Sequence, residues 1–207
     1  DTAVNPLPRR VWMYGAEYTV REFAHSVCLP GDYVAMTSYT HEPFYEYVPL
    51  DVPANRRGHK FLNMPLDTLV SRVTDALRSG RSVCWEGDIT GDCFSFESGT
   101  ADLASPDARV TQAVRQRAFE RLEVTDDHCM SIIGLARDAS GGHWFICKNS
   151  WGTGNPYGGL MYAGTDRRKA DTDKRFLYPT IPSLQEVLLL LRKPHLYFFS
   201  AHGSVHR

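Results

Sequence analysis

An α+β fold organised around an antiparallel sheet is predicted by three observations. Leu66, Leu69, Val70, Val73 and Leu77 fall at i, i+3, i+4, i+7 and i+11, the stripe of one strongly amphipathic helix. The strand-like runs His128 to Leu135 and His143 to Lys148 are separated by "RDASGG", which has the length and glycine content of a hairpin turn. The composition, 43% apolar and 23% charged over 207 residues, is that of a globular chain able to fill a core of ordinary size.

Taken in order, Tyr18 to Val27 reads as a short helix ended by the Leu29-Pro30-Gly31 breaker, and Tyr33 to Tyr39 as extended chain. His41 to Arg57, with Pro43, Pro49 and Pro53, reads as an ordered loop, because its proline spacing excludes a helix. Phe61 to Met64 follows as a strand. The amphipathic helix comes next, with Asp67 in its first turn and Gly80 closing it. "RSVCWEG" reads as a buried strand and Asp107 to Leu122 as a charged surface helix after Pro106. Three strands complete the pattern: His128 to Leu135, His143 to Lys148 and Gly159 to Tyr162.

Several function classes lose support from composition alone. A net charge of −1 gives no general affinity for nucleic acid or anionic membrane, and no apolar run is long enough for a membrane span. The chain opens on Asp1 without a signal-peptide pattern, so its start reads as a processing boundary and its compartment, cytoplasmic or exported, is not encoded here. Five cysteines (Cys28, Cys84, Cys93, Cys129, Cys147) make an odd, sparse set that suits reduced, buried thiols better than a disulfide framework.

The hairpin brings chemistry together. Pairing about Ala139-Ser140 sets His128 near the position of Trp151, so His128 and Asn149 become neighbours at one sheet end while Ile132, Ile133 and Phe145 fill the core. An imidazole oriented by a side-chain amide oxygen is the partner that an activated cysteine needs. A single histidine on a strand is more often a satisfied core residue; Asn149 and Trp151 beside it favour the site.

"DDHCMSIIGLARD", "WFICKNSWG" and "NPYGGLMY" resemble the histidine and asparagine blocks of papain-like cysteine peptidases, most closely the bleomycin hydrolase and aminopeptidase C branch. "GDYVAMTSYTHEPFYEYVPLDVP" and "FLNMPLDTLVSRVTDALRSGRSVCWEGD" resemble the same branch, so the resemblance runs from about Tyr14 to Ala163. It implies a papain-like α+β fold of which this is the C-terminal part, an antiparallel, barrel-like sheet subdomain plus helices. It makes His128 the general base and acid, Asn149 the residue that holds its ring, and Trp151 the indole that shields the pair. It further implies peptide substrates, no cofactor, no metal, and a homo-oligomer, often a hexameric ring.

The family's nucleophile lies in a glycine-rich Cys-Trp motif that opens a helix, and no such segment occurs in this chain. Cys84-Trp85 imitates the dipeptide on a strand, far closer to His128 than the roughly 130–150 residues usual for papain-like enzymes. Cys28 follows a helix instead of opening one. Cys129, one residue beyond His128, is expected to point into the core, and Cys147 to pack. The expectation is therefore a thiol-dependent peptidase segment, inactive alone; the alternative is a non-catalytic remnant or binding module that keeps the half-fold.

Other motifs have plainer readings. His25 and Cys28 share a helix face but lack a second ligand pair for a metal. Asp126 and Asp127 read as a solvated turn and not a carboxylate dyad, and the glycines of "WGTGNPYGG" as loop positions needing positive φ. Residues 1–163 are read as the peptidase part and 164–207 as a divergent tail, helical over 183–193, where Ser183 is a cap and Pro194 a stop. Four leucines at 188–191 suit either a buried helix or a foreign end.

Overall fold

The computed structural model describes residues 9–13, 15–27, 31–53, 55–90, 93–102, 110–125, 127–166 and 186–190. The chain begins with a small hairpin, β1 (Arg10–Met13) and β2 (Ala16–Thr19), turning at Gly15, and runs into α1 (Val20–Val27). Next come β3 (Tyr33–Thr37), β4 (Tyr47–Pro49), β5 (Lys60–Asn63), α2 (Leu66–Arg78) and β6 (Val83–Gly87). The remainder is β7 (Phe94–Ser95), β8 (Thr100–Ala101), α3 (Gln112–Glu120), β9 (His128–Arg137), β10 (His143–Lys148), β11 (Leu160–Asp166) and β12 (Glu186–Leu190). Ten strands form one sheet, curled into a half-barrel, in the order β4-β5-β3-β12-β6-β9-β10-β11-β8-β7. Its pairings are antiparallel except β3 with β5 and β11 with β8.

The core lies between α2 and one face of this sheet. Leu66, Leu69, Val70 and Val73 of the predicted stripe are buried, with Leu77 packed against them. They meet Val83 and Trp85 of β6, Met130 and Ile132 of β9, and Phe145 and Cys147 of β10, alternate residues on one face. Gly80, at φ +77, ends α2, and Arg81 N–H returns to the Ala76 carbonyl. The start of α2 is capped from outside: the Leu66 N–H donates to Gln112 Oε1 at 2.8 Å.

Besides β4, a three-residue strand inside the 41–57 stretch expected as a loop, three expectations change here. The first concerns α3, expected as a charged surface helix, which buries Arg115 and Gln116. The loop after β3 explains this, since its backbone groups need partners. Arg115 Nε donates to the Ser38 carbonyl and Gln116 Oε1 accepts the Thr40 N–H, at 2.9 and 2.8 Å. Burial pushes the Arg115 pKa down.

The second is Ile133, which is exposed instead of core. Alternation from buried Met130 and Ile132 turns Ile133 to the other face, and the β9–β10 register shifts there, between Ile146↔Gly134 and Cys147↔Ile132, so Ile133 is also the extra residue of a β-bulge.

The third is the helix expected over 183–193, where Glu186–Leu190 is a strand. It lies between β3 and β6, pairing Leu188 with Ala35 and with Cys84. A short continuous apolar run without a polar face fits an interior strand better than an amphipathic helix. Residues 183–185 and 191–194, with the expected Ser183 cap and Pro194 stop, lie outside the described ones.

The hairpin turn is set by Asp138. Its carboxylate accepts the Ser140 N–H and hydroxyl, the Gly142 N–H and the Trp144 indole N–H, all at 2.7–3.0 Å. The Ser140 hydroxyl, then the Trp144 indole and the Gly142 N–H, hold this carboxyl well below the usual range. Because the folded pKa is depressed, the stabilisation is complete above the ordinary aspartate value of about 3.9 and is lost as pH falls toward the folded one. Asp138→Asn is expected to lower the melting temperature at neutral pH by a few degrees. The difference from the parent should shrink on acidification below about pH 4 in a calorimetric pH series.

Candidate active site

His128 opens β9 and Asn149 follows β10 directly, so the hairpin delivers both to the sheet end opposite its turn. Side-chain alternation puts His128 on the same side as buried Met130 and Ile132, at the rim of the core face. Two carboxylates fix the approach to β9. Asp127 N–H donates to the Gly87 carbonyl, and Asp127 Oδ1 accepts the Ile89 N–H at 3.1 Å. Asp88 Oδ2 accepts the Thr125 N–H at 2.7 Å. Burial acts to raise the Asp88 pKa, but hydrogen bonds from Thr90 and Thr125 outweigh it and the net shift is downward. Asp127 is therefore an exposed turn residue with a structural bond; Asp126 lies outside the described residues.

His128 Nε2 lies 2.9 Å from Asn149 Oδ1. The same oxygen accepts the Ser150 N–H at 2.7 Å, which fixes which end of the amide faces the ring. An amide oxygen only accepts, so Nε2 carries the proton and Nδ1 is left with a lone pair. That tautomer is the one able to take a proton at Nδ1. Asn149 is buried, and its Nδ2 has no hydrogen-bond partner among the described residues.

Trp151 covers the pair. Its ring lies 4.9 Å from that of His128 at an interplanar angle of 49°, and it remains 47% exposed, so it screens one side of the imidazole only. Phe94 and Phe96 meet the indole edge-on at 5.8 and 5.5 Å, and Phe94 also approaches His128 at 6.4 Å. These two phenylalanines flank the candidate site, and the sequence reading missed them. Their signal was the i, i+2 spacing in "CFSFES", which places both on one face of an extended segment.

Three of the four glycines expected to need positive φ in the loop that carries Trp151 have it: Gly152, Gly158 and Gly159, at +81, +64 and +89; Gly154 does not. A Cβ on Gly159 would overlap the Gly152 carbonyl oxygen, so two backbone stretches touch there. Buried Asn155 locks the crossing: Oδ1 accepts the Gly159 and Tyr157 N–H groups, and Nδ2 donates to the Leu160 carbonyl.

The cysteines divide between the two faces. Cys147 is buried in the core, and desolvation pushes its thiol up to about 12, away from thiolate chemistry. Cys84 and Cys129 lie on the face away from the core. Cys129 is exposed, contrary to the expectation of a core residue, because β9 buries only Met130 and Ile132 there. Cys93 leads into a two-residue strand, so no helix dipole acts on it. Cys28 lies outside the described residues. Only Cys147 among the described cysteines is fully buried, so the expectation of buried thiols holds for that one residue.

Among the described residues no cluster of three metal-ligating side chains occurs, and no helix is long and apolar enough to cross a membrane. A cavity of about 250 Å³ lined by Thr74, Arg78, Arg137, His143 and Trp144 lies at the turn end of the hairpin, away from His128.

No family model and no curated protein matches this chain. Among solved structures it is similar to PepW from Lactobacillus rhamnosis. The TM-score is 0.61 at 19% identity, over 84% of this chain and 39% of that one. The bromelain protease from Ananas comosus aligns more loosely, with a TM-score of 0.33 at 18% identity over 57% of this chain and 43% of that one. The fold is thus the papain-like α+β fold that the resemblance implies, and the chain spans about two fifths of the length of PepW.

Proposed function

We propose that this chain is the base-bearing part of a papain-like cysteine peptidase of the bleomycin hydrolase and aminopeptidase C branch. The observation that carries this reading is the 2.9 Å contact from His128 Nε2 to Asn149 Oδ1 beneath the Trp151 indole. In this reading His128 Nδ1 takes the proton of a cysteine thiol. The imidazolium then stabilises the thiolate, and the proton passes to the leaving amine of the cleaved peptide bond. Asn149 is the positioning residue, which holds the ring and the tautomer, and Trp151 limits water on one side of the ion pair.

The nucleophile comes from outside this chain. Among the described cysteines, Cys84 and Cys129 sit on the other face of the sheet, Cys147 is held protonated by burial, and Cys93 lacks an activating helix; Cys28 comes after α1 in sequence and not at the start of a helix. Residues 1–163 then form the C-terminal part of the peptidase domain, and 164–207 a divergent tail that lends it one strand. Peptide substrates and a homo-oligomer, a hexameric ring in this branch, belong to the same proposal.

The test is hydrolysis of amino-acid aminomethylcoumarin amides under reducing conditions. The chain alone is expected to be inactive, and the polypeptide that includes the cysteine-bearing portion active and sensitive to thiol alkylation. Activity of the isolated chain would overturn the placement of the nucleophile. Inactivity of the complete polypeptide would favour a non-catalytic binding module that keeps the half-fold.

A further inference from the structure

We propose that Cys84 and Cys129 form a reversible dithiol/disulfide couple on the outer face of the sheet, a modification site whose co-reactant is a low-molecular-weight disulfide. The proposal stands apart from the peptidase reading, since neither cysteine faces His128.

Strand register creates the pair. β6 and β9 are antiparallel neighbours with Cys84 opposite Ser131 and Glu86 opposite Cys129, so the two cysteines are diagonal on the same outward face. Their sulfurs lie 3.2 Å apart, and a covalent bond at about 2.05 Å needs roughly 1 Å of further approach. Cys129 is exposed and Cys84 half-buried, so a small reagent reaches the first while the second waits beside it. Buried Cys147, on the other face, offers neither access nor a neighbour of this kind.

The exchange balances in two steps. Cys129, as thiolate, attacks one sulfur of the reagent. The reagent's S–S bond breaks, a mixed disulfide forms on Cys129, and one small thiol leaves with a proton. Cys84, as thiolate, then attacks Cys129 Sγ, forming the Cys84–Cys129 bond and expelling the second small thiol with the second proton. The two cysteines are oxidised by two electrons and the reagent is reduced by two. The product joins β6 to β9 one residue from His128 and closes the segment that holds Phe94, Phe96 and α3.

The test incubates the full chain with mixtures of oxidised and reduced glutathione, followed by thiol counting, intact mass and peptide mapping. The expected result is loss of two thiols with a mass decrease of about 2 Da, a single Cys84–Cys129 linked peptide, and full reversal by dithiothreitol. Cys84→Ser is expected to arrest the reaction as a stable glutathione adduct on Cys129. Pairing of either cysteine with another residue, persistence of the adduct on Cys129 in the parent chain, or no reaction across the series would each overturn the proposal. The parent-chain map decides the matter even if a variant fails to fold.

Discussion

His128→Ala is expected to lower kcat of the complete, cysteine-bearing polypeptide by about 10⁴–10⁶ while leaving the fold intact. The size follows from the dual task proposed for the ring: without it the thiol is not deprotonated at neutral pH and the leaving amine receives no proton. The effect on stability should be small, because His128 sits half-exposed at a strand end and its amide partner retains the Ser150 N–H. Steady-state kinetics on aminomethylcoumarin amides, with circular dichroism as the folding control, reads both quantities. A folded variant within about tenfold of the parent would remove His128 from the chemistry.

Asn63→Ala is expected to cost about 3–5 kcal/mol of stability. Asn63 is fully buried. Its Oδ1 accepts the Tyr39 N–H at 2.8 Å, and its Nδ2 donates to the carbonyls of Tyr39, Glu42 and Pro43 at 2.8–3.1 Å. One amide thus satisfies the turn that enters the proline-rich loop, and alanine would leave those backbone groups buried without partners. Asn63→Asp should be at least as harmful, since a carboxylate would face three carbonyl oxygens. Urea unfolding with unchanged m-value measures it, and a loss below about 1 kcal/mol would show that water or a rearranged loop replaces the amide.

Periodicity made most of the fold legible. The stripe of α2 and the hairpin of β9 and β10 carry their own signals, and hairpin geometry alone brought His128 to Asn149. What stayed hidden depends on contacts distant in sequence. Arg115 and Gln116 look solvated until the 38–41 loop is seen to need their hydrogen bonds. The bulge at Ile133 is marked only by the adjacent Gly134, a single glycine inside a strand pattern. The run 186–190 has no period of its own, and only two strand edges awaiting a partner decide that it is extended. Phe94 and Phe96 follow the same logic, being legible as a face but not as part of a site until Trp151 arrives against them.

The position of β12 also sets an order of events for a chain emerging from the ribosome. Among the described strands, β12 alone joins the β4-β5-β3 strands to the β6-to-β7 strands. Until Glu186–Leu190 is synthesised, β3 and β6 each keep one open edge. At about 5–20 residues per second, the roughly 100 residues between Gly87 and Glu186 take about 5–20 s to make. For that interval two apolar edges wait side by side for a strand that has not yet been made, and a foreign strand of similar character could take its place. Newborn chains that stall in this window are the ones a holding chaperone would need to shield.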